Sequence, residues 1–252
     1  MKISLSEQVI LVTGGSRGIG KGIAELLGEC GATVALHYGK SKEKAEELAR
    51  KIGHSSKAFQ ANLGQPSEVQ GLVKAVLKEY GKIDCLINNA GIALQMDEKG
   101  DFETWLAQWQ STLMVNLQAP AILCKELLPH FAAQKGGRIV FVSSRAAFRG
   151  DTEDYMAYAA SKGGMVSLSR SIARAYGKHN IKSFIVAPGF IETDMAAQFI
   201  NEYGKDYVVD DLALNELTQP KDLAPTIVFL ASGFMDHATG CTIDVNAGSY
   251  VH

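Results

Sequence analysis

The chain has 252 residues, of which 46% are hydrophobic and 21% are charged, and its formal net charge at pH 7 is −2. These values are typical of one large globular domain with a substantial core, and the near-neutral charge gives no indication of a nucleic acid or an anionic membrane as partner. No apolar stretch is long enough to span a bilayer, and residues 1–7 do not resemble a signal peptide, so we expect a cytoplasmic protein.

The cysteines give no indication of a metal site or a disulfide framework. Cys30, Cys85, Cys124 and Cys241 are far apart, and none forms a Cys-x-x-Cys pair. Cys85 and Cys124 lie within apolar segments, where a free cysteine is usually a small buried hydrophobe. The pattern therefore predicts free thiols and no bound metal, which agrees with a reducing compartment.

Strand-like and helix-like segments alternate along the chain. Short apolar runs predict strands at 9–13, 33–38, 57–60, 85–88, 138–143, 181–186 and 242–245. Apolar residues at helical spacing predict helices at 19–30, 41–52, 66–80, 158–176 and 220–231, with two more in 101–135 interrupted near Pro120. This alternation is typical of an α/β protein, a Rossmann-type doubly wound parallel sheet with helices on both faces.

A single domain over residues 1–252 is the simplest interpretation, because the chain contains no internal repeat and no low-complexity linker. Residues 190–218 lack clean periodicity and lie between a predicted strand and a predicted helix. In a doubly wound sheet such a segment is outside the carboxyl ends of the strands, so we expect it to act as a substrate lid.

A glycine-rich turn follows the first predicted strand and opens the first predicted helix. Its pattern is Gly-x-x-x-Gly-x-Gly, starting at Gly14. Glycines allow the backbone to approach a ligand closely, and the positive end of a helix favours a pyrophosphate. Such a turn can also serve packing alone, but its position favours nucleotide binding. The candidate ligand-binding residues are Gly14, Ser16, Arg17, Gly18, Ile19 and Gly20.

The end of the second strand indicates which dinucleotide is bound. NAD sites of this fold place a carboxylate about twenty residues beyond the glycine turn, on the ribose 2′-hydroxyl. Here the strand ends in Tyr38-Gly39-Lys40, without a carboxylate. Arg17 and Lys40 are able to pair with a 2′-phosphate, so NADP(H) is favoured over NAD(H), although Lys40 is equally typical of an exposed helix start.

Tyr158 and Lys162 are the candidate acid/base pair. Positions i and i+4 share one face of a helix, so the phenol and the ammonium point into the same cleft. A nearby positive charge lowers the pKa of a phenol from its ordinary value of about 10. Pairs with this spacing are also common on solvated surfaces, so the remaining motifs decide between the two interpretations.

Six motifs in order resemble the short-chain dehydrogenase/reductase family along nearly the whole chain. They are the glycine turn, Asn88-Asn89-Ala90-Gly91, Asn116, Ser144, the pair Tyr158 and Lys162, and Pro188-Gly189 with Thr193. The resemblance implies that Tyr158 exchanges a proton with the substrate oxygen, and that Lys162 depresses the tyrosine pKa and holds the nicotinamide ribose. Ser144 would position the substrate oxygen, and Asn116 would anchor a relay water.

The resemblance also implies the remaining cofactor contacts and a homotetramer. Besides the glycine turn and Lys40, it assigns contacts to Tyr38, Asn62, Leu63, Asn89, Ala90, Gly91, Tyr158, Lys162, Pro188, Gly189, Ile191 and Thr193. Asn62 stands where related proteins have an aspartate near the adenine, so we expect the segment at Asn62 to contact the adenine. Ser143 and Tyr155 are rivals to Ser144 and Tyr158. The spacing from Arg138 favours Ser144, and Tyr155 has no lysine four residues later.

Residues 188–195 and 245–250 resemble those of 3-oxoacyl-[acyl-carrier-protein] reductases. An NADPH-dependent reductase of an acyl thioester, with acyl carrier protein as a partner, is therefore expected. Acidic residues at 151–154, together with Lys135, His179 and Glu216 where that group has basic features, favour an alternative, which is a free small ketone, sugar or alcohol. A non-catalytic NADP(H)-binding sensor is an alternative of another class.

Overall fold

The computed structural model describes residues 2–97, 100–193, 204 and 209–251. The strands in the described residues are β1 (Val9–Val12), β2 (Thr33–Tyr38), β3 (Lys57–Gln60), β4 (Cys85–Asn88), β5 (Gly137–Val142), β6 (Ile181–Pro188) and β7 (Thr242–Val245). They form one parallel sheet in the order β3-β2-β1-β4-β5-β6-β7. The order reverses between β1 and β4, which is where a doubly wound sheet binds its ligand.

Helices cover both faces of the sheet, as the alternation of elements predicts. They are α1 (Gly18–Glu29), α2 (Lys42–Ile52), α3 (Pro66–Tyr80), α4 (Phe102–Leu113), α5 (Ala119–Ala133), α6 (Ala146–Arg149), α7 (Met156–Tyr176) and α8 (Pro220–Ala231). Helices α1, α2 and α8 bury apolar residues against one face, and α3, α5 and α7 against the other. Strands buried on both sides require continuous apolar runs, which explains Val-Ile-Leu-Val in β1.

The predicted elements agree with the structure, apart from their ends and one helix junction. Strand β6 extends two residues beyond its predicted end, to Pro188, and α7 begins at Met156. The two helices predicted in 101–135 are α4 and α5. The interruption near Pro120 is a π-helical turn at Met114–Gln118, so the chain does not leave the helical path there, and Pro120 occupies the first turn of α5.

Much of the predicted lid at 190–218 lies outside the described residues, which include only 190–193, 204 and 209–218 of it. Within the described part, Ile191 pairs with Thr218 in a single parallel bridge, and Glu192 N–H donates to the carbonyl of Thr218. These contacts hold the two ends of the segment beside the carboxyl end of β6.

All four cysteines are free thiols, and Cys85 and Cys124 are buried, as predicted. Burial raises the pKa of each of these two thiols to about 12, so they are unreactive at neutral pH. Among the described residues, no helix is both long enough and apolar enough to cross a bilayer.

Two helical glycines should respond to alanine in opposite directions. A Cβ on Gly28 of α1 would lie 2.4 Å from Ile52 Cγ2, whereas a Cβ on Gly71 of α3 would have nothing within 4 Å. We expect Gly28→Ala to lower the free energy of unfolding by about 1–3 kcal/mol through overpacking. Gly71→Ala should raise it by about 0.5–1 kcal/mol through helix propensity. Urea unfolding measures both, and equal effects would contradict the packing described for α1.

Candidate active site

The carboxyl ends of β1 and β4 are joined by side-chain hydrogen bonds. The Thr13 hydroxyl accepts the backbone N–H groups of Asn89 (3.0 Å) and Ala90 (3.1 Å) and donates to the carbonyl of Ile87. The Asn89 amide donates to the carbonyls of Thr13 (2.9 Å) and Gly14 (3.1 Å). These bonds fix the glycine turn after β1 relative to the segment after β4, so the two predicted cofactor motifs form one surface.

The glycines of the turn are required by close packing. Gly14 and Gly18 have φ of 64° and 53°, in the left-handed region that favours glycine. A Cβ on Gly20 would lie 2.2 Å from the carbonyl oxygen of Gly14, because the start of α1 packs directly onto the turn. Gly91 is less tightly packed, since its Cβ would lie 3.3 Å from Asn116 Oδ1 and 3.4 Å from Lys162 Nζ. The turn therefore exposes backbone to a ligand, which fits a pyrophosphate.

Asn116 lies in the π-helical turn and is fully buried. Its Oδ1 accepts the N–H of Ile92 (2.8 Å), and its Nδ2 donates to the carbonyl of Ile92 (2.8 Å) and to Ser161 Oγ (3.0 Å). A π turn inserts one residue into a helix and often marks a functional site. Asn116 therefore connects the segment after β4 to α7 at Ser161, the residue that precedes Lys162.

Lys162 is buried in α7, and its Nζ donates to the carbonyl of Val142 at 2.8 Å. Burial lowers the pKa of this ammonium to about 8, because charge is disfavoured away from water. Its Nζ lies 5.6 Å from the centroid of the Tyr158 ring. The lysine is thus a cation held behind the tyrosine, with a pKa close to neutral pH.

Tyr158 and Ser144 line the same cavity, and the neighbouring Ser144 hydroxyl acts to lower the pKa of Tyr158. Ser143, the rival serine, instead donates to the backbone carbonyl of Lys162 at 3.0 Å and supports α7. The geometry thus brings together the three side chains that the sequence places in the acid/base role.

The expected depression of the Tyr158 pKa by Lys162 was wrong. Burial raises the pKa of Tyr158 to about 12, with a smaller raising contribution from Asp151 and an opposing one from the Ser144 hydrogen bond. The physical reason is that the phenol loses water on burial, and Lys162, with its own pKa lowered to about 8, is uncharged at the pH where such a phenol ionises. Tyr158 is therefore protonated at neutral pH.

These groups line a cavity of about 530 Å³ at the carboxyl ends of β4, β5 and β6. The predicted site residues on its wall are Ile19, Asn89, Gly91, Ser144, Tyr158, Lys162, Pro188, Gly189, Ile191 and Thr193, together with both rivals, Ser143 and Tyr155. Asn116 supports the wall from behind. In the described ranges, no group of three or more His, Cys, Asp or Glu side chains is suited to hold a metal ion.

The other predicted cofactor residues lie towards β2 and β3, on the far side of the glycine turn. Lys40 and Arg17 are exposed, and Tyr38 is buried at the end of β2. Asn62 is exposed, and its Oδ1 accepts the N–H of Gly64 at 3.0 Å, while Leu63 is buried in the core. The predicted adenine end and the acid/base end therefore share one edge of the sheet, on either side of the β1/β4 switch.

Asp151, from the acidic segment that the sequence indicated, lines the cavity, but sequence reasoning missed Arg145, Arg149 and Asp211, which form a charged wall with it. The Arg145 guanidinium is buried, contacts Asp211 Oδ2 at 2.5 Å and stacks 4.8 Å from the Phe190 ring centroid. Arg149 reaches the same oxygen at 3.3 Å. Two arginines four residues apart, directly after Ser144, were a signal available in the sequence.

The chain matches a family model described as enoyl-(acyl carrier protein) reductase over residues 14–250. The 3-oxoacyl-[acyl-carrier-protein] reductase FabG of Staphylococcus aureus (strain Mu50) is 36% identical over 249 residues, which cover 96% of this chain and 97% of that relative. The enzyme of the same name from Vibrio cholerae is 34% identical over 254 residues, covering 99% of this chain and all of the relative.

Solved structures show the same fold at lower identity. A Beutenbergia cavernae protein described as an NAD(P)-dependent gluconate 5-dehydrogenase, with bound NADP, has a TM-score of 0.90 and 28% identity, covering 99% of both chains. The NADPH-dependent 3-quinuclidinone reductase of Rhodotorula rubra has a TM-score of 0.90 and 28% identity, covering 98% of this chain and 93% of that one.

The buried ammonium of Lys162 should make stability depend on pH. Its pKa is about 8 in the folded chain and the ordinary 10.5 when unfolded, so the unfolded state binds more protons between these values. The free energy of unfolding should therefore gain about 2 kcal/mol from this group between pH 7.5 and 9.5. Urea unfolding of the unaltered protein and of Lys162→Met at both pH values isolates the effect. The same pH dependence in both proteins would contradict the burial of a charged Lys162.

Proposed function

Because the chain belongs to the short-chain dehydrogenase/reductase family, it is an oxidoreductase acting on C–OH and C=O groups with a nicotinamide cofactor, and we propose that it reduces a carbonyl with NADPH, using Tyr158 as the proton donor. The observation that carries the proposal is that Tyr158 and Ser144 line one cavity, with the Lys162 ammonium buried 5.6 Å from the centroid of the Tyr158 ring. A binding protein without chemistry has no need of these three groups together with Asn116.

Two hydroxyls and a cation perform the proton chemistry. Tyr158 donates its proton to the carbonyl oxygen, and the Ser144 hydroxyl donates a second hydrogen bond that orients this oxygen. Lys162 stabilises the phenolate that forms and, with a pKa of about 8, returns a proton to it at neutral pH. Asn116 keeps the segment around Ile92 in place beside the lysine.

Tyr158 is in the form that a proton donor requires. A phenol with a pKa of about 12 carries its proton throughout the physiological range. Oxidation of an alcohol would need the phenolate, which is the form that burial disfavours.

The residues present fit a dinucleotide. The glycine turn exposes backbone at the start of α1, and Gly91 leaves space beside Lys162 that a Cβ would fill. When bound, NADP(H) supplies the hydride. Lys162 would hold the nicotinamide ribose, Thr193 and Ile191 would border the ring, and Arg17 and Lys40 would pair with the 2′-phosphate.

The first candidate substrate is a 3-oxoacyl thioester carried by acyl carrier protein. It is supported by relatives named for this activity at 34–36% identity along almost the whole chain. A cytoplasmic homotetramer is part of the same proposal, and the exposed rings of Phe102 (66%) and Phe234 (56%) provide apolar surface for subunit contacts. Light scattering measures the assembly.

The charged wall favours a second candidate, a free small carbonyl compound that carries hydroxyl groups. Arg149 and Asp151 are both exposed to the cavity. An apolar acyl chain would desolvate these groups without replacing their hydrogen bonds, whereas hydroxyl groups both donate and accept them.

Tyr158→Phe should abolish carbonyl reduction while leaving cofactor affinity within about threefold. The variant removes only the proton donor, which typically contributes about 10²- to 10⁴-fold in rate. Tyr155→Phe is the matched control, because Tyr155 lines the same cavity without a lysine four residues later. The measurement is kcat with NADPH and a panel of ketones. Unchanged turnover in Tyr158→Phe would refute the catalytic assignment.

Replacing Arg17 or Lys40 by alanine should weaken the binding of NADPH and leave the binding of NADH unchanged. A lost charge-assisted bond to phosphate raises the KM for NADPH by about tenfold or more, and leaves that for NADH unchanged. Lys42→Ala is the control, because that exposed lysine pairs with Glu46 at 3.8 Å. Tighter binding of NADH than of NADPH by the unaltered protein would overturn the proposed preference.

Arg149→Leu separates the two substrate candidates. If hydroxylated carbonyl compounds are the substrates, the variant should raise their KM by about tenfold and leave a short 3-oxoacyl thioester unaffected. If the thioester is the substrate, the unaltered protein should turn it over faster than sugars and simple ketones. Arg174→Leu, an exposed arginine on α7 that is absent from the cavity wall, is the control.

A further inference from the structure

His37 lies buried under the glycine turn, on β2, with 3% of its surface exposed. Its Nδ1 accepts the backbone N–H of Gly14 at 3.0 Å, and its Nε2 lies 3.0 Å from the carbonyl oxygen of Ala61. A carbonyl only accepts, so Nε2 carries the proton, and Nδ1 must keep its lone pair for the glycine. The two partners therefore select one neutral tautomer.

The start of the glycine turn depends on this residue. His37 provides two acceptors, because its backbone carbonyl also accepts the N–H of Gly15 at 2.9 Å. From the other side, Asn89 donates to the carbonyls of Thr13 and Gly14. His37 therefore satisfies the N–H groups of the turn while Asn89 satisfies its C=O groups.

The second bond of the imidazole reaches the opposite part of the proposed cofactor site. Ala61 immediately precedes Asn62, the predicted adenine contact, and its N–H donates to the carbonyl of Tyr38 at 3.1 Å. One side chain thus links the pyrophosphate turn to the adenine segment. Burial lowers the pKa of His37, which agrees with the neutral form that both bonds require.

We propose that His37 is a positioning residue for the dinucleotide, whose imidazole holds the glycine turn in register with the adenine segment. It contributes to cofactor affinity and takes no part in proton or hydride transfer. The inference rests on the proposed NADP(H)-dependent function, but it concerns a residue outside the motifs of that function.

Two amide variants separate the bonds of His37. The side-chain oxygen of His37→Asn occupies the place of Nδ1 and keeps an acceptor for Gly14, whereas the amide nitrogen of His37→Gln takes the place of Nε2 and keeps a donor for Ala61. The probes are NADPH and adenosine 2′-monophosphate, which has no pyrophosphate. Fluorescence titration measures the affinity for NADPH, calorimetry measures that for the monophosphate, and kcat is taken at saturating NADPH.

We expect His37→Gln to lower the affinity for NADPH about tenfold, because the buried N–H of Gly14 loses its acceptor. The variant should bind adenosine 2′-monophosphate like the unaltered protein. His37→Asn should retain NADPH affinity within about threefold, and both variants should keep kcat within about twofold. Equal NADPH affinity in all three proteins would overturn the proposal. An equal loss of affinity for NADPH and for adenosine 2′-monophosphate in both variants would also overturn it, because it would indicate a general disruption of the fold.

A measurement on the unaltered protein tests the same idea if a variant does not fold. Nitrogen-15 NMR should show the imidazole proton on Nε2, and a proton on Nδ1 would overturn the assigned bond to Gly14. Failure of the proposed function is distinguishable, because the unaltered protein would then bind neither NADPH nor NADH.

Discussion

The structure depends on the hydrogen-bonded joint between the carboxyl ends of β1 and β4. The Thr13 hydroxyl accepts the backbone N–H of Asn89, and the Asn89 side-chain amide donates to the backbone carbonyl of Thr13. This joint lies where the strand order reverses. The connections that follow the strands on each side of such a switch run to opposite faces of the sheet, which leaves a crevice between their loops. The joint holds the two loops of this crevice at a fixed separation, so the glycine turn and Gly91 face the same space.

Further hydrogen bonds connect this joint to the candidate acid/base groups. Asn116 holds the segment after Gly91 by hydrogen bonds to the backbone N–H and carbonyl of Ile92, and it also bonds the Ser161 hydroxyl on α7. Lys162 is the next residue of α7, and its ammonium donates to the carbonyl of Val142 at the end of β5. A buried cation is expensive unless it is hydrogen-bonded, so it requires a rigid surrounding. The π turn and the joint provide that rigidity.

The cavity combines this rigid interior with a charged outer wall. In the proposed mechanism, Tyr158, Ser144 and Lys162 define where a carbonyl oxygen sits. Arg145 is neutralised by Asp211 and stacked on Phe190, which fixes the wall beside Ser144. We therefore expect substrate choice to depend on wall groups that are separate from the proposed catalytic ones, in agreement with a fold that supports many specificities.

The sequence by itself determined the sheet and its helices, and it pointed to the candidate acid/base residues. Apolar periodicity is a local property, so strands and helices could be predicted to within about two residues, and the motif order placed Ser144, Tyr158 and Lys162 together. The π turn at Met114–Gln118 was missed, because it results from bonds that Asn116 makes to distant segments.

Only the tertiary structure decided the electrostatics and the supporting contacts. The pKa of Tyr158 rises instead of falling because the loss of water around the phenol outweighs the effect of the neighbouring lysine. In the sequence, His37 is indistinguishable from an ordinary strand residue. Its role depends on the fold, which places Gly14 after β1 and Ala61 after β3 beside its two ring nitrogens. Burial and long-range hydrogen bonds depend on which segments meet in space, and that information is absent from local sequence patterns.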